Sequence, residues 1–166
     1  MESSAILVEI PRLRRYARAM LGDRAAADDL VQDTLERAWI RFGQWRSGSN
    51  LRAWLFSIMH NLRVDQLRQQ KLSTHSIDEI EIEVPTRPTQ TDALEVNDLE
   101  SALGQIPDQQ REVLMLIALE EMSYAEISAL LDIPVGTVMS RLSRGREKLR
   151  VILDGQVPTA KLKVVR

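Results

Sequence analysis

Apolar residues along this chain recur mostly at steps of three and four, the period of helices that bury one face. Ile6, Ile10, Leu13, Ala17 and Met20 follow it across residues 5–22 and predict a helix interrupted or restarted at Pro11 and ended by Gly22. Asp23 is placed to cap a second helix, about 24–42, with an apolar stripe of Leu30/Val31, Thr34/Leu35, Ala38/Trp39 and Phe42. A turn at 43–49 holds Trp45 and Arg46. Ser49 or Asn50 then caps a third helix to about residue 70, apolar at Leu51, Trp54/Leu55, Ile58 and Leu62. From residue 73 to about 91 the period disappears, and STHSIDEIEIEVPTRPTQT is polar, acidic and twice interrupted by proline. Ile77, Ile80, Ile82 and Val84 could form a short strand, but the composition favours a flexible linker. Helical spacing returns at Val96, Leu99, Leu103 and Ile106, and Pro107 opens a helix whose buried side is marked by Val113, Leu114 and Ile117.

The most informative stretch is SYAEISALLDIPVGTVMSRLSRGREKLRVI, residues 123–152. It reads as a short helix over about 124–131, a turn at Asp132, Ile133 and Pro134, and a longer helix over about 135–152, a helix-turn-helix outline. Ser123 and Glu126 fit a capping box at the start of the first helix. In the second, Val138, Leu142, Gly145, Leu149 and Ile152 form one buried stripe, and Gly145 on that stripe suggests close approach to another helix. Between Pro134 and Arg150, five basic residues stand against Glu147 alone, a charge of +4. A solvated helix end would explain the charge by itself. Joined to the helix-turn-helix outline, it points to a helix that neutralises DNA phosphate and reads base edges.

The whole chain carries only −2, which by itself argues against a generic basic nucleic-acid binder. Its charge is segregated, with −7 between residues 73 and 100 and +3 between Arg52 and Lys71. The basic third helix, with its amide and aromatic groups, has what single-stranded nucleic acid requires, although Phe42 and Trp54 fall at core spacing. Asp28, Asp29 and Asp33 suit the start of the second helix through its dipole or, alternatively, form a protein-docking face. No cysteine is present, and neither His60 nor His75 has the spaced partners of a metal site. No phosphate loop or catalytic constellation is recognisable, so the expectation is a non-enzyme without cofactor or metal. No apolar run reaches membrane-spanning length and MESSAILVEIPRLRR reverses the order of a secretory signal, which predicts a cytoplasmic protein without membrane insertion.

DDLVQDTLERAW at 28–39, NLRAWLFSIMHNLRVDQLR at 50–68 and IPDQQREVLMLIALEEMSYAEISALLDIPVGTVMSRLSRGREKLR at 106–150, with the acidic segment between, resemble a bacterial extracytoplasmic-function sigma factor. IPRLRRYARAMLGDRAAADDLVQ resembles the general-stress branch. The resemblance implies an all-α chain of two small helical domains: σ2 over 1–72, a linker over 73–92, the helix-turn-helix domain σ4 over 93–155, and a tail over 156–166. It implies that Asp29, Gln32, Asp33, Glu36 and Arg37 dock on the β′ coiled coil of core RNA polymerase. Arg46, Ser49, Asn50, Asn61 and Asp65 would capture a base flipped from the −10 strand, while Arg63 and Arg68 contact phosphate. In σ4, which also meets the β flap, Ser140, Ser143 and Arg144 would reach −35 base edges, and Thr137, Arg141, Arg146 and Lys148 would set position on the backbone. An anti-sigma factor is an expected further partner. Met139 departs from the family, where this position is commonly basic.

Two other functions compete. A decoy that only sequesters an anti-sigma factor has no reason to keep the +4 helix or the Asn61 and Arg63 margin. A helix-turn-helix repressor needs no aromatic and basic margin in the first half. The acidic linker is either a soluble tether or a mimic of nucleic acid in a polymerase channel.

Overall fold

The computed structural model describes residues 2–46, 48–74 and 94–156. These form seven helices and one 3₁₀ turn: α1 (Glu2–Leu21), α2 (Arg24–Ile40), the turn Phe42–Gln44, α3 (Leu51–Thr74), α4 (Leu94–Gly104), α5 (Asp108–Ala118), α6 (Tyr124–Leu131) and α7 (Val135–Gln156). No strand occurs among the described residues. The alternation at Ile77–Val84, the acidic linker, His75 and the tail from residue 157 lie outside them.

The helix starts follow from local chemistry. The Asp23 carboxylate accepts from the Ala25 N–H, and Asn50 Oδ1 accepts from the Ala53 N–H at 3.1 Å, satisfying donors that no helical carbonyl reaches. Gly22 ends α1 at φ 71°, where its N–H reaches the Arg18 carbonyl at 2.9 Å. Pro11 does not interrupt α1, contrary to the sequence expectation. Its ring is exposed and so is Leu7, one turn back, so the carbonyl it deprives of a partner lies on the solvent side. Meanwhile Ile6, Leu13, Ala17 and Met20 remain buried on either side of it.

Within the first half α1 and α3 pack on α2, and within the second α4, α5 and α6 pack on α7. The halves also pack on each other, α1 against α4 and α5, and α3 against α6. One apolar cluster therefore runs from Leu13 and Leu30 through Phe56 and Met59 to Leu116, Ile127 and Val138. α5 is buried almost all round, with Glu112 to Leu116 all inside. The stripe inferred for α5 from Val113, Leu114 and Ile117 is thus too narrow, because α5 lies between α1 and α7.

A polar seam crosses this contact between the halves. Glu120, whose side chain is fully buried, accepts from Arg12 and Arg15, each at 3.5 Å, and Arg15 also donates to the Leu119 carbonyl at 2.8 Å. Arg111 donates to the carbonyls of Met20 and Ile106. Arg63 pairs with Asp108 at 3.3 Å, and His60 Nδ1 lies against the buried Glu112 carboxylate. Tyr16 is buried beside this seam, and its phenol is held well above the ordinary range first by burial and then by the carboxylates of Glu112, Asp108 and Glu120. Burial lowers the Arg111 guanidinium from its usual value.

Candidate nucleic-acid interface

The helix-turn-helix forms as the spacing predicts. At the head of α6 both arms of the capping box close: Ser123 Oγ accepts from the Glu126 N–H at 3.1 Å and the Glu126 carboxylate from the Ser123 N–H at 3.3 Å. Asp132 then takes the left-handed conformation at φ 56°, which short Asp side chains tolerate, and reverses the chain. Ser128 locks the turn by donating to the Ile133 carbonyl at 2.5 Å while its own carbonyl accepts from the Ile133 N–H. Pro134 accepts the first bonds of α7, from the Thr137 and Val138 N–H groups.

α7 is seated by Val138 and Leu142, both buried, and by Gly145. A Cβ on Gly145 would lie 2.9 Å from Leu114 Cδ1 and 3.3 Å from Gln110 Cβ, so the glycine permits the close approach of α5 that its place on the stripe suggested. With this face fixed at about 100° per residue, the remaining positions sort into an outer face and two edges. Ser140 and Ser143 point outward and are exposed. Thr137, Arg141, Arg144 and Lys148 form one edge. Val135, Met139 and Arg146 form the other.

Arg150 does not add to this cation set. It is tied within α7 to Glu147 at 2.6 Å and to Asp154 at 2.9 Å, and the hydrogen bond to Arg150 lowers the Glu147 carboxyl from its ordinary range. Among the described residues Arg141, Arg144, Arg146 and Lys148 have no carboxylate partner. They are the groups free to meet a polyanion.

The nominated positions on α3 divide in two. Asn61, Asp65 and Arg68, spaced by four and three, are exposed on one face. Arg63 stands two residues, about 200°, from Asn61, and turns inward to Asp108 with a side chain only 18% exposed. In the preceding turn, Ser49 Oγ donates to the Arg46 carbonyl at 2.6 Å, and the Asn50 side chain serves as the helix cap. Trp45 is half-buried, with its ring 5.6 Å from Phe42 and 6.5 Å from Trp54. The three aromatics form a cluster of tilted and edge-on rings at the turn, consistent with a packing role for Phe42 and Trp54.

On α2, Asp29, Gln32, Asp33 and Glu36 are exposed and Arg37 half-exposed on one face, with Gln32 Nε2 donating to Glu36 at 3.3 Å. Ala27, Leu30, Val31, Thr34 and Ala38 fill the opposite side. Trp39 was expected on the buried stripe but is 66% exposed, and Ile40 is 81% exposed, because the stripe narrows onto Ala38 at this end of α2. They extend the acidic face with an apolar end, a feature that periodicity alone did not separate from core.

Sequence reasoning also missed the seam, because the partners of Asp108, Arg111, Glu112 and Glu120 lie on α1 and α3, some 45 to 108 positions away. No group of histidine and carboxylate side chains able to hold a metal ion occurs among the described residues, and none of their helices is long and apolar enough to cross a membrane.

Two family models match. Residues 6–60 fit the Sigma2 domain of PhyR, and residues 97–149 fit Sigma-70, region 4. The chain is 38% identical over 149 residues to the ECF RNA polymerase sigma factor EcfG of Rhodopseudomonas palustris, covering 89% of this chain and 82% of the relative. It is 33% identical over 144 residues to SigW of Bacillus subtilis, covering 79% and 77%. Among solved structures it is similar to the sigma factor RpoE bound to the anti-sigma factor NepR from Bartonella quintana, with TM-score 0.79, 34% identity and coverage of 92% and 96%. CnrH in complex with the cytosolic domain of CnrY gives TM-score 0.69 at 29% identity, covering 92% and 87%.

Proposed function

Because the chain belongs to the ECF RNA polymerase sigma factors, we propose that it directs core RNA polymerase to promoters by gripping two separate DNA elements and itself makes or breaks no covalent bond. The second half, σ4, lays α7 into the major groove of the −35 element. Ser140, Ser143 and Arg144 reach base edges while Thr137, Arg141, Arg146 and Lys148 hold phosphate. The first half, σ2, docks on the β′ coiled coil through Asp29, Gln32, Asp33, Glu36 and Arg37. The turn at Arg46, Ser49 and Asn50, with Asn61 and Asp65, receives an unstacked base of the −10 strand, and Arg63 and Arg68 take its phosphates. One observation carries this reading: a capped helix-turn-helix presents hydroxyls beside unpaired cations, while the acidic face stands apart on α2.

The form described here does not offer all of these contacts at once. Arg63 is engaged by Asp108, so it reaches a phosphate only when the halves part. The sigma–anti-sigma complexes among the structural relatives favour an anti-sigma partner for this chain too.

Run-off transcription with core polymerase is the test. A sigma factor yields a new start site that depends on the chain. A decoy would bind an anti-sigma factor without yielding a transcript, and a repressor would bind DNA without polymerase; either result would replace this reading.

A further inference from the structure

Met139 stands out on the helix that meets DNA. It is 51% exposed in the N-terminal half of α7, and Val135, one turn earlier on the same edge, is 41% exposed. Among the described residues, no cation shares this edge until Arg146, two turns on. The opposite edge carries Arg141, Arg144 and Lys148. α7 is thus asymmetric, with hydroxyls outward, cations on one side and a strip of apolar surface on the other.

That strip lies where a recognition helix approaches base edges rather than where it leaves the groove, since such helices contact bases through their N-terminal residues. A thioether cannot neutralise phosphate. The one apolar group that a base pair displays in the major groove is the C5-methyl of thymine. We infer that Met139, backed by Val135, is a specificity-determining contact that packs against a thymine methyl in the −35 element. The inference rests on the sigma-factor reading above and assigns one base preference to one side chain. The flexible thioether suits the role, because it adapts to a methyl whose position shifts with local groove geometry.

Removing the methyl and removing the side chain should have one and the same effect. Holoenzyme, made from the full chain and core polymerase, is bound to a promoter duplex recovered from the run-off experiment, with each −35 thymine on either strand replaced singly by deoxyuridine. For the wild-type chain, one replacement lowers affinity by about four-fold, the worth of about one buried methyl-sized group. Met139→Ala shows the same loss on the unmodified duplex and no further loss with deoxyuridine, whereas Met139→Leu keeps the sensitivity. Met139→Lys loses it and steepens the dependence of log affinity on log salt by about 0.9, one added phosphate contact. If no thymine is methyl-sensitive, or if Met139→Ala and the wild type lose affinity equally on methyl removal, the inference is overturned. Failure of the chain to confer promoter binding on core polymerase would be a different result, and it would remove the sigma-factor reading together with the inference built on it.

Discussion

The surfaces offered to nucleic acid by the two halves differ in readiness. On α7 the hydroxyls and cations face solvent, fixed from behind by Val138, Leu142 and Gly145. On α3, Asn61, Asp65 and Arg68 face solvent, but Arg63 is spent on Asp108 of the other half. A preformed helix in a groove needs only orientation. A margin that shares a residue with an internal contact needs a rearrangement first, and the free energy of that contact is subtracted from binding. On the proposed reading the second half therefore has its candidate contacts exposed in the form described here, while the first half has Arg63 still engaged by Asp108.

The largest effects are expected on the prepared side. Arg144→Ala should weaken promoter binding by holoenzyme by about 1–3 kcal/mol and relax specificity at one −35 position, measured by competition between base-substituted duplexes. Gly145→Val should cost about 1–3 kcal/mol of stability through overpacking against Leu114, seen as a lowered midpoint of thermal unfolding. It should weaken −35 binding although it removes no contacting group.

A smaller effect tests the occupied side. Asp108→Asn removes the charge that holds Arg63, a partly exposed pair worth about 1 kcal/mol or less. The free chain should bind a −10 single strand more tightly, and the added Arg63→Ala change should cancel the gain in binding. Unchanged affinity would mean that Arg63 is as available as its neighbours. The smallest effect is expected for Glu147→Gln. It leaves Arg150 held by Asp154 alone and should steepen the salt dependence of binding by less than one added contact, about 0.9 in slope.

What could be read from the sequence was what is decided locally. The capping box at Ser123 and Glu126, the turn at Asp132 and the seating of Gly145 each involve residues whose own geometry or stripe position settles the matter. On α2 the residues alone showed Asp28, Asp29 and Asp33 at the start of the helix; the wider face with Gln32, Glu36 and Arg37 came from the family resemblance, and the structure places Asp29, Gln32, Asp33, Glu36 and Arg37 on one face. Trp39, Leu99 and Arg63 were not legible. Trp39 and Leu99 sit at the margins of their stripes and are exposed, a margin that only the neighbouring helix defines. Arg63 belongs by sequence to the same basic run as Arg68, and helical rotation sends it the other way. Glu112 and Glu120 are buried carboxylates whose partners lie in the other half, and a pattern taken along one segment holds no information about such a pairing.

All three tryptophans lie between positions 39 and 54, and the second half has none. Trp39 is solvent-facing at the end of the acidic face, whereas Trp45 and Trp54 cluster with Phe42, Trp45 tilted against it and Trp54 edge-on. The tryptophan fluorescence of the unlabelled protein is therefore a signal from its first half alone, with one emitter at the end of the acidic face of α2 and two beside the turn. If the proposed docking through α2 and capture of a base at the turn take place, each should leave a separate mark on the tryptophan emission, one from Trp39 and one from Trp45 and Trp54.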